Sequence, residues 1–162
     1  MLKVAICDDS DRDASQLEHY LLSYDKFPLE TKLYTNPQKL LNQRTPDIHC
    51  VFLDINMPGI NGIDVAQKIR KFNPFIPIIF VTSYRDYMEQ VFEVQTFDYI
   101  VKPIEPQKLM KYWIVFCVFW IWAKHFLPSH LVNTIILSLR AILYFLRKIN
   151  VQYLYTQRQV PT

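Results

Sequence analysis

Five short apolar runs recur along the first two thirds of the chain, and each ends at a polar or charged residue. They lie at 2–7, 29–35, 48–53, 76–81 and 99–101. The run at 29–35 alternates between apolar and polar positions, whereas the other four are largely continuous. Continuous apolar runs of this length are typical of strands that are covered on both faces of a parallel sheet. The pattern therefore predicts five β-strands.

Segments with the apolar spacing of amphipathic helices separate these strands. The predicted helices lie at about 10–24, 36–42, 63–72 and 86–94, and from 105 onward. Ser10 and Asp13 have the spacing of a capping box, and Asn36 supplies an N-cap before Pro37 at the first helical position. Strand and helix thus alternate five times within residues 1–112. This alternation predicts an α/β domain with a doubly wound parallel sheet.

Polar side chains follow four of the predicted strands. Asp8 and Asp9 follow the first strand, Asp54 the third, Thr82 the fourth and Lys102 the fifth. Ligands of open parallel sheets bind beyond the carboxyl ends of the strands. Each residue alone has an ordinary interpretation as a turn, strand-end or surface residue. In combination they predict one site that contains three carboxylates, a hydroxyl and an ammonium group.

The chemistry of these groups indicates phosphoryl transfer. Three adjacent carboxylates repel one another, and a hard divalent cation relieves the repulsion. Mg²⁺ prefers oxygen ligands and usually acts together with a phosphate. One carboxylate could then attack phosphorus and form an aspartyl phosphate. The metal and Lys102 would stabilise charge on the transferring phosphoryl oxygens.

The composition narrows the class of protein. Of 162 residues, 51% are hydrophobic and 20% are charged, which excludes a disordered chain. The two glycines, Gly59 and Gly62, do not form a dinucleotide-binding motif. Three cysteines without a CxxC pair indicate neither a disulfide framework nor a zinc site, and they suit a reducing cytosol. Met1–Cys7 leads directly into acidic residues, so no signal peptide is predicted and a cytoplasmic location is expected.

Four stretches of the chain together resemble the receiver domain of bacterial two-component response regulators. They are VAICDDS (4–10), VFLDINMPGINGIDV (51–65), IIFVTSY (78–84) and FDYIVKPI (97–104). The resemblance covers residues 1 to about 112 and implies a flavodoxin-like sheet of strand order 2-1-3-4-5. We therefore divide the chain into a receiver (phosphoacceptor) domain, 1–112, and an apolar helical extension, 113–162, with no recognisable domain.

This resemblance implies roles for the acidic residues. Asp54 is the expected phosphoacceptor and also belongs to the metal site. Asp9 is expected to bind Mg²⁺ directly, and Asp8 to act on it through water. The backbone carbonyl of Asn56 supplies a further expected ligand. The implied phosphate donor is a sensor histidine kinase, and a receiver homodimer is a further partner to consider.

The resemblance also implies a conformational switch. Thr82 is the hydroxyl that follows the phosphoryl group, Lys102 contacts that group, and Tyr99 matches the aromatic switch residue. Lys102–Pro103 is expected to be a cis peptide, which is rare outside X-Pro bonds. The protein would then act as a phosphoacceptor switch with at most slow autodephosphorylation, and it would not be an enzyme of metabolism.

One long stretch indicates a branch of the family. FVTSYRDYMEQVFEVQTFDYIVKPIE (80–105) resembles receivers that precede LytTR-type DNA-binding domains. Such an output domain needs about 100 residues, and residues 113–162 are too few for it. The resemblance therefore implies a chain truncated or frameshifted before the output domain, and no sequence-specific DNA binding is expected.

The extension at 113–162 has a different composition. It holds five basic residues, no acidic residue and all three tryptophans, whereas 1–112 holds 13 basic and all 15 acidic residues. The run at 113–123 is entirely apolar but shorter than the roughly 20 residues that span a bilayer. A second apolar stretch lies at 131–146. The segment 113–122 has no polar face, and Asn133 and Arg140 interrupt the second stretch. A helical hairpin that associates with a membrane is one interpretation of the extension.

A shifted reading frame is another interpretation of the extension. From Tyr112 onward, the last base of each codon read with the first two bases of the next encodes Leu-Asp-(Arg/Cys/Ser)-apolar-Leu-(Arg/Cys)-apolar-Leu-Asp-(Leu/Met)-Gly. Its apolar positions have helical spacing, and glycine closes the segment. We hypothesise that the parent gene encoded a longer regulator, which the nucleotide sequence around codons 105–130 would test. The extension should then pack poorly and expose an apolar patch.

Two other functions remain open at this stage. An aspartate-nucleophile phosphohydrolase would carry a DxD pattern after the first strand, where this chain has Asp8-Asp9-Ser10. The alternative is a membrane-tethered signalling adaptor. The cognate kinase and its signal, the regulated genes and the oligomeric state do not follow from the sequence.

Overall fold

The computed structural model describes residues 1–43, 47–84 and 87–126. Within these ranges the chain forms five strands and five helices in strict alternation. The strands are β1 (Leu2–Cys7), β2 (Leu29–Tyr34), β3 (Cys50–Leu53), β4 (Ile78–Thr82) and β5 (Asp98–Val101). The helices are α1 (Asp11–Leu22), α2 (Pro37–Asn42), α3 (Gly62–Phe72), α4 (Met88–Glu93) and α5 (Pro106–Phe126). The predicted elements are therefore present, with bounds that differ by a few residues.

The strands form one parallel sheet of order β2-β1-β3-β4-β5, as predicted. Ile6 in β1 pairs with Leu33 in β2 on one side and with Phe52 in β3 on the other. Leu53 in β3 is in register with Phe80 in β4. Because all the strands run in the same direction, β1, β3, β4 and β5 end at the same edge of the sheet, where the predicted site residues begin.

Helices cover both faces of the sheet, and the pleat of the strands sorts the core into two clusters. In β3, Val51 and Leu53 belong to the cluster under α2, α3 and α4, which we call the α3-side core. Cys50 and Phe52 belong to the cluster under α1 and α5, which we call the α5-side core. Alternate residues of one fully buried strand thus serve opposite faces.

Side-chain caps mark the starts of α1 and α2. The Ser10 hydroxyl accepts from the backbone N–H of Asp13 at 3.3 Å, and Asn36 Oδ1 accepts from Gln38 N at 2.8 Å. The reciprocal bond of a capping box is not formed at α1, because the N–H of Ser10 donates to Asp8 Oδ1 at 2.9 Å. The Asp13 carboxylate therefore has a different role from the one its spacing predicts.

Helix α5 crosses residue 112 without interruption. Trp113, Phe116 and Cys117 are buried in the α5-side core. The Phe116 ring stacks on Trp113 at a centroid distance of 5.4 Å. Val118 is 53% exposed and Ile121 is 36% exposed, as the absence of a polar face predicts. The compositional boundary at 112 thus falls inside one helix, the first turns of which beyond 112 are part of the core.

In 1–43, 47–84 and 87–126, no helix combines the length and apolar character that crossing a membrane requires. The second apolar stretch of the extension, 131–146, lies outside the described residues.

Candidate functional site

Three carboxylates converge at the carboxyl edge of the sheet, as predicted. Asp8 and Asp9 follow β1, and Asp54 follows β3. Each offers an oxygen within 4.8 Å of the others, with Asp8 and Asp54 buried and Asp9 exposed. The N–H of Asp54 donates to the carbonyl of Cys7 at 2.9 Å, which ties the ends of the two strands together.

The donor set suits a small hard cation. All three side chains offer carboxylate oxygens, the ligand type that Mg²⁺ prefers. Two of the carboxylates are buried, where like charges are costly without compensation. The residues present therefore fit a Mg²⁺ site. Asn56 lies two residues after Asp54, and its side-chain Nδ2 donates to the Tyr84 hydroxyl at 3.1 Å. The predicted role of its backbone carbonyl as a metal ligand stays a prediction.

The Asp54 carboxylate is desolvated and held by its own loop. Its Oδ1 accepts from the N–H of Ile55 at 2.8 Å, and its Oδ2 lies 3.8 Å from Lys102 Nζ. Burial raises the pKa of Asp54, while Lys102 and a hydrogen bond with Thr82 oppose that increase and Asp8 adds to it. Removal of water from a carboxylate strengthens its interactions with nearby charged groups.

Lys102, which directly follows β5, places its ammonium group among the carboxylates. Its Nζ lies 2.7 Å from Asp8 Oδ2 and 2.7 Å from Asp13 Oδ2, and the peptide to Pro103 is cis, as predicted. Burial lowers the pKa of Lys102, but hydrogen bonds to the carboxylates of Asp13 and Asp8 outweigh burial and leave the pKa raised. Lys102 therefore stays charged.

Thr82 at the end of β4 and Tyr99 in β5 both form hydrogen bonds with the backbone of Tyr84, in the loop that follows β4. Thr82 is fully buried, and its Oγ1 accepts from the N–H of Tyr84 at 3.5 Å. The Tyr99 hydroxyl donates a short hydrogen bond to the backbone carbonyl of Tyr84. The backbone of Tyr84 thus connects the buried hydroxyl at the site with the aromatic ring on β5.

The structure adds two residues that the sequence analysis missed as site residues. Asp13 was assigned only to helix capping, although the first turn of a helix that starts at this sheet edge faces the site. Tyr84 lies two residues after Thr82, and that spacing is the signal which could have indicated it. Among the predicted residues, Asp8, Asp9, Asp54, Thr82 and Lys102 are all brought to the same edge.

Comparisons with known proteins agree with this geometry. The family model "Response regulator receiver domain" matches residues 4–113. The chain is 40% identical over 114 residues to the sensory transduction protein LytT of Oceanobacillus iheyensis, which covers 66% of this chain and 44% of that protein. It is 37% identical over 118 residues to the accessory gene regulator protein A of Staphylococcus epidermidis, covering 67% of this chain and 49% of that protein. The chain thus spans about half the length of these curated relatives.

A solved structure shows the same fold. It is the response regulator protein TrrA of Thermotoga maritima in complex with Mg²⁺-BeF, with a TM-score of 0.62 and 28% identity, covering 68% of this chain and 95% of that one. The strand order, the convergence of the strand-end residues and the family match over 4–113 agree. The chain therefore belongs to the response regulator receiver family of two-component systems, and its relatives are LytTR-type regulators.

Proposed function

We propose that the receiver accepts a phosphoryl group from a sensor histidine kinase onto Asp54, with Mg²⁺ as the cofactor. The observation that carries this proposal is the buried Asp54 carboxylate, which has two further carboxylates within reach of one cation and Lys102 Nζ at 3.8 Å. Mg²⁺ held by Asp8, Asp9 and Asp54 would neutralise charge on the phosphoryl oxygens.

Asp54, Lys102 and Thr82 have different roles in the proposed phosphoryl transfer. An Asp54 carboxylate oxygen attacks phosphorus, an O–P bond forms, and the P–N bond of the donor phosphohistidine breaks so that the imidazole leaves with the electron pair. Lys102 offers N–H donors to the phosphoryl oxygens, and charge-assisted bonds of this kind are strong. The Thr82 hydroxyl then bonds the phosphoryl group, and its movement carries the backbone of Tyr84 and the ring of Tyr99 with it.

We propose a cytoplasmic signalling switch and not an enzyme of metabolism. A phosphohydrolase is the less favoured alternative because the Asp8-Asp9-Ser10 sequence lacks the DxD pattern. The membrane-tethered alternative depends on 131–146, which lies outside the described residues. We also propose that this chain does not read DNA sequence, since the basic residues of 113–162 are scattered through apolar sequence. A receiver homodimer remains part of the proposal.

The proposal is tested by autophosphorylation from phosphoramidate with Mg²⁺. We expect an acid-labile phosphoryl adduct on the parent protein, and no adduct on Asp54→Asn, which keeps the size of the side chain but removes the nucleophile. Asp64→Asn is the matched control, because Asp64 is an exposed carboxylate in the first turn of α3. Equal labelling of Asp54→Asn and the parent would show that the assignment is wrong. Chelation of Mg²⁺ should abolish labelling.

A further inference from the structure

Asp13 contacts the site without belonging to its acidic cluster. The cluster consists of Asp8, Asp9 and Asp54, whereas Asp13 projects from the first turn of α1. Its Oδ2 lies 2.7 Å from Lys102 Nζ, the same distance as Asp8 Oδ2. The Asp54 oxygen lies at 3.8 Å, beyond hydrogen-bond distance. Two of the three donors of the ammonium group are thus directed away from Asp54.

The two partners of this ion pair differ in burial. Lys102 is mostly buried and needs the contact, whereas Asp13 is partly exposed and can exchange it for water. The Lys102 side chain is 13% exposed, so its charge needs partners. The Asp13 side chain is 35% exposed, so water can replace Lys102 at modest cost. Asp8 belongs to the acidic cluster and would have its oxygens drawn to a bound cation. Asp13 lies outside that cluster and stays available to Lys102 whether or not a cation is bound.

We propose that Asp13 restrains Lys102 in the unphosphorylated protein and competes with the phosphoryl group on Asp54 for it. The inference rests on the proposed function. A phosphoryl group attached to Asp54 places anionic oxygens next to Lys102, which must then share or give up its hydrogen bond to Asp13. Asp13 is thus a positioning residue that acts through Lys102 and sets how readily the site accepts and retains the phosphoryl group.

The affinity for beryllofluoride in the presence of Mg²⁺ tests the proposal on the full chain by isothermal titration calorimetry. Asp13→Asn should bind beryllofluoride roughly fivefold more tightly than the parent, because a charge-assisted competitor is lost. It should also be labelled faster by phosphoramidate. Asp11→Asn is the matched control, since Asp11 is an exposed acid in the same first turn. Its affinity should stay at the parent's value. If Asp13→Asn binds no more tightly than the Asp11→Asn control, or more weakly than the parent, the proposal is wrong.

A double-mutant cycle separates action through Lys102 from a general effect of charge. In a Lys102→Met background, the gain from Asp13→Asn should disappear; a gain of full size would overturn the proposal. If Lys102→Met abolishes binding, the ¹⁵N chemical shift of Lys102 Nζ replaces the cycle. It is measured in the parent and in the Asp13→Asn and Asp11→Asn variants, all of which keep Lys102. Asp13→Asn should change that shift and Asp11→Asn should not, and equal shifts in both variants would refute the restraint. A parent protein that neither binds beryllofluoride nor labels would instead refute the proposed function.

Discussion

Cys7 lies at the end of β1, beside the carboxylates of the site, and its thiol is buried. Burial raises the pKa of Cys7 to about 12, and the charges of Asp8, Asp54 and Asp9 add to the increase. Burial alone raises the pKa of Cys117 to about 12. Only the thiolate is a strong nucleophile. Both cysteines are therefore inert thiols while the protein is folded.

We predict that the native protein reacts with a chromogenic disulfide reagent at about pH 8 only as fast as it unfolds. Cys50 is also buried, so all three thiols should react together after denaturation. The folded thiol of Cys7 keeps its proton between its ordinary pKa of 9.0 and about 12. The unfolded chain loses this proton at lower pH than the folded chain does. The free energy of unfolding should therefore fall as the pH rises through that window. A rapid phase of one thiol per native chain would contradict this prediction.

Strand-end position explains which site residues the sequence could predict. Asp8, Asp54 and Lys102 each follow an apolar run, and the topology of a parallel sheet is enough to bring them together. Asp13 is separated from Lys102 by 89 positions, and its partner depends on where the start of α1 lies above the sheet edge. Helical spacing predicts a cap for α1 but cannot predict which way an acid of its first turn points.

The loop between β3 and α3 leaves almost no space for a side chain where it meets Gly62, the first residue of α3. A Cβ there would lie 2.0 Å from the backbone oxygen of Asp54, and the N–H of Gly62 donates to the Ile55 carbonyl at 2.7 Å. Gly59 in the same loop has a φ of +86°, but a Cβ there would meet open space. Gly62 is thus required because the backbone of Asp54 lies so close to it, and Gly59 because its backbone is in the left-handed conformation.

Gly62→Ala should destabilise the protein by about 3 kcal/mol, because backbone atoms must move to admit the methyl group. It should also slow phosphorylation, since the atoms that move carry Asp54. Gly59→Ala is the control and should cost only about 1 kcal/mol for the left-handed conformation. Urea unfolding of the two variants and the parent measures the difference. Equal losses would show that the Gly62 contact relaxes freely.

Two strands begin later than the apolar runs that predict them. The run that begins at Ile76 predicts a strand from that residue, whereas β4 begins at Ile78. Ile76 is buried in the α3-side core although it lies outside the strand. Similarly, Ile48 packs against this core two residues before β3 begins. Hydrophobicity indicates burial, and only the pairing of strands determines where a strand begins.

At the scale of the whole molecule, the sheet order was predictable because the resemblance implies it. The division at 112 was drawn from the extent of the resemblance and the change in composition, neither of which can show that a helix continues across it. The sequence suggests that the apolar run after 112 is a separate segment. In the structure, Trp113, Phe116 and Cys117 are part of the α5-side core. Phe116 also contacts the ring of Phe97 edge-on at 5.4 Å. The hypothesis of a shifted reading frame stays a prediction. The poor packing that it implies for the extension is wrong for Trp113, Phe116 and Cys117, which are buried.

This packing predicts that the receiver depends on the residues just beyond 112. Trp113→Ala in the full chain should cost about 3 kcal/mol or more, because the ring is buried between Phe52 and Phe116. Val118→Ala is the matched control in the same helix and should be nearly neutral, because Val118 is largely exposed. A chain ending at Phe126 should unfold at a higher temperature than one ending at Tyr112, which lacks all the buried side chains beyond that point. Calorimetry of the two chains and the two variants measures this. Equal transition temperatures for the two lengths would show that residues 1–112 supply the whole stability of the domain, and that the core contacts of Trp113 and Phe116 contribute nothing to it.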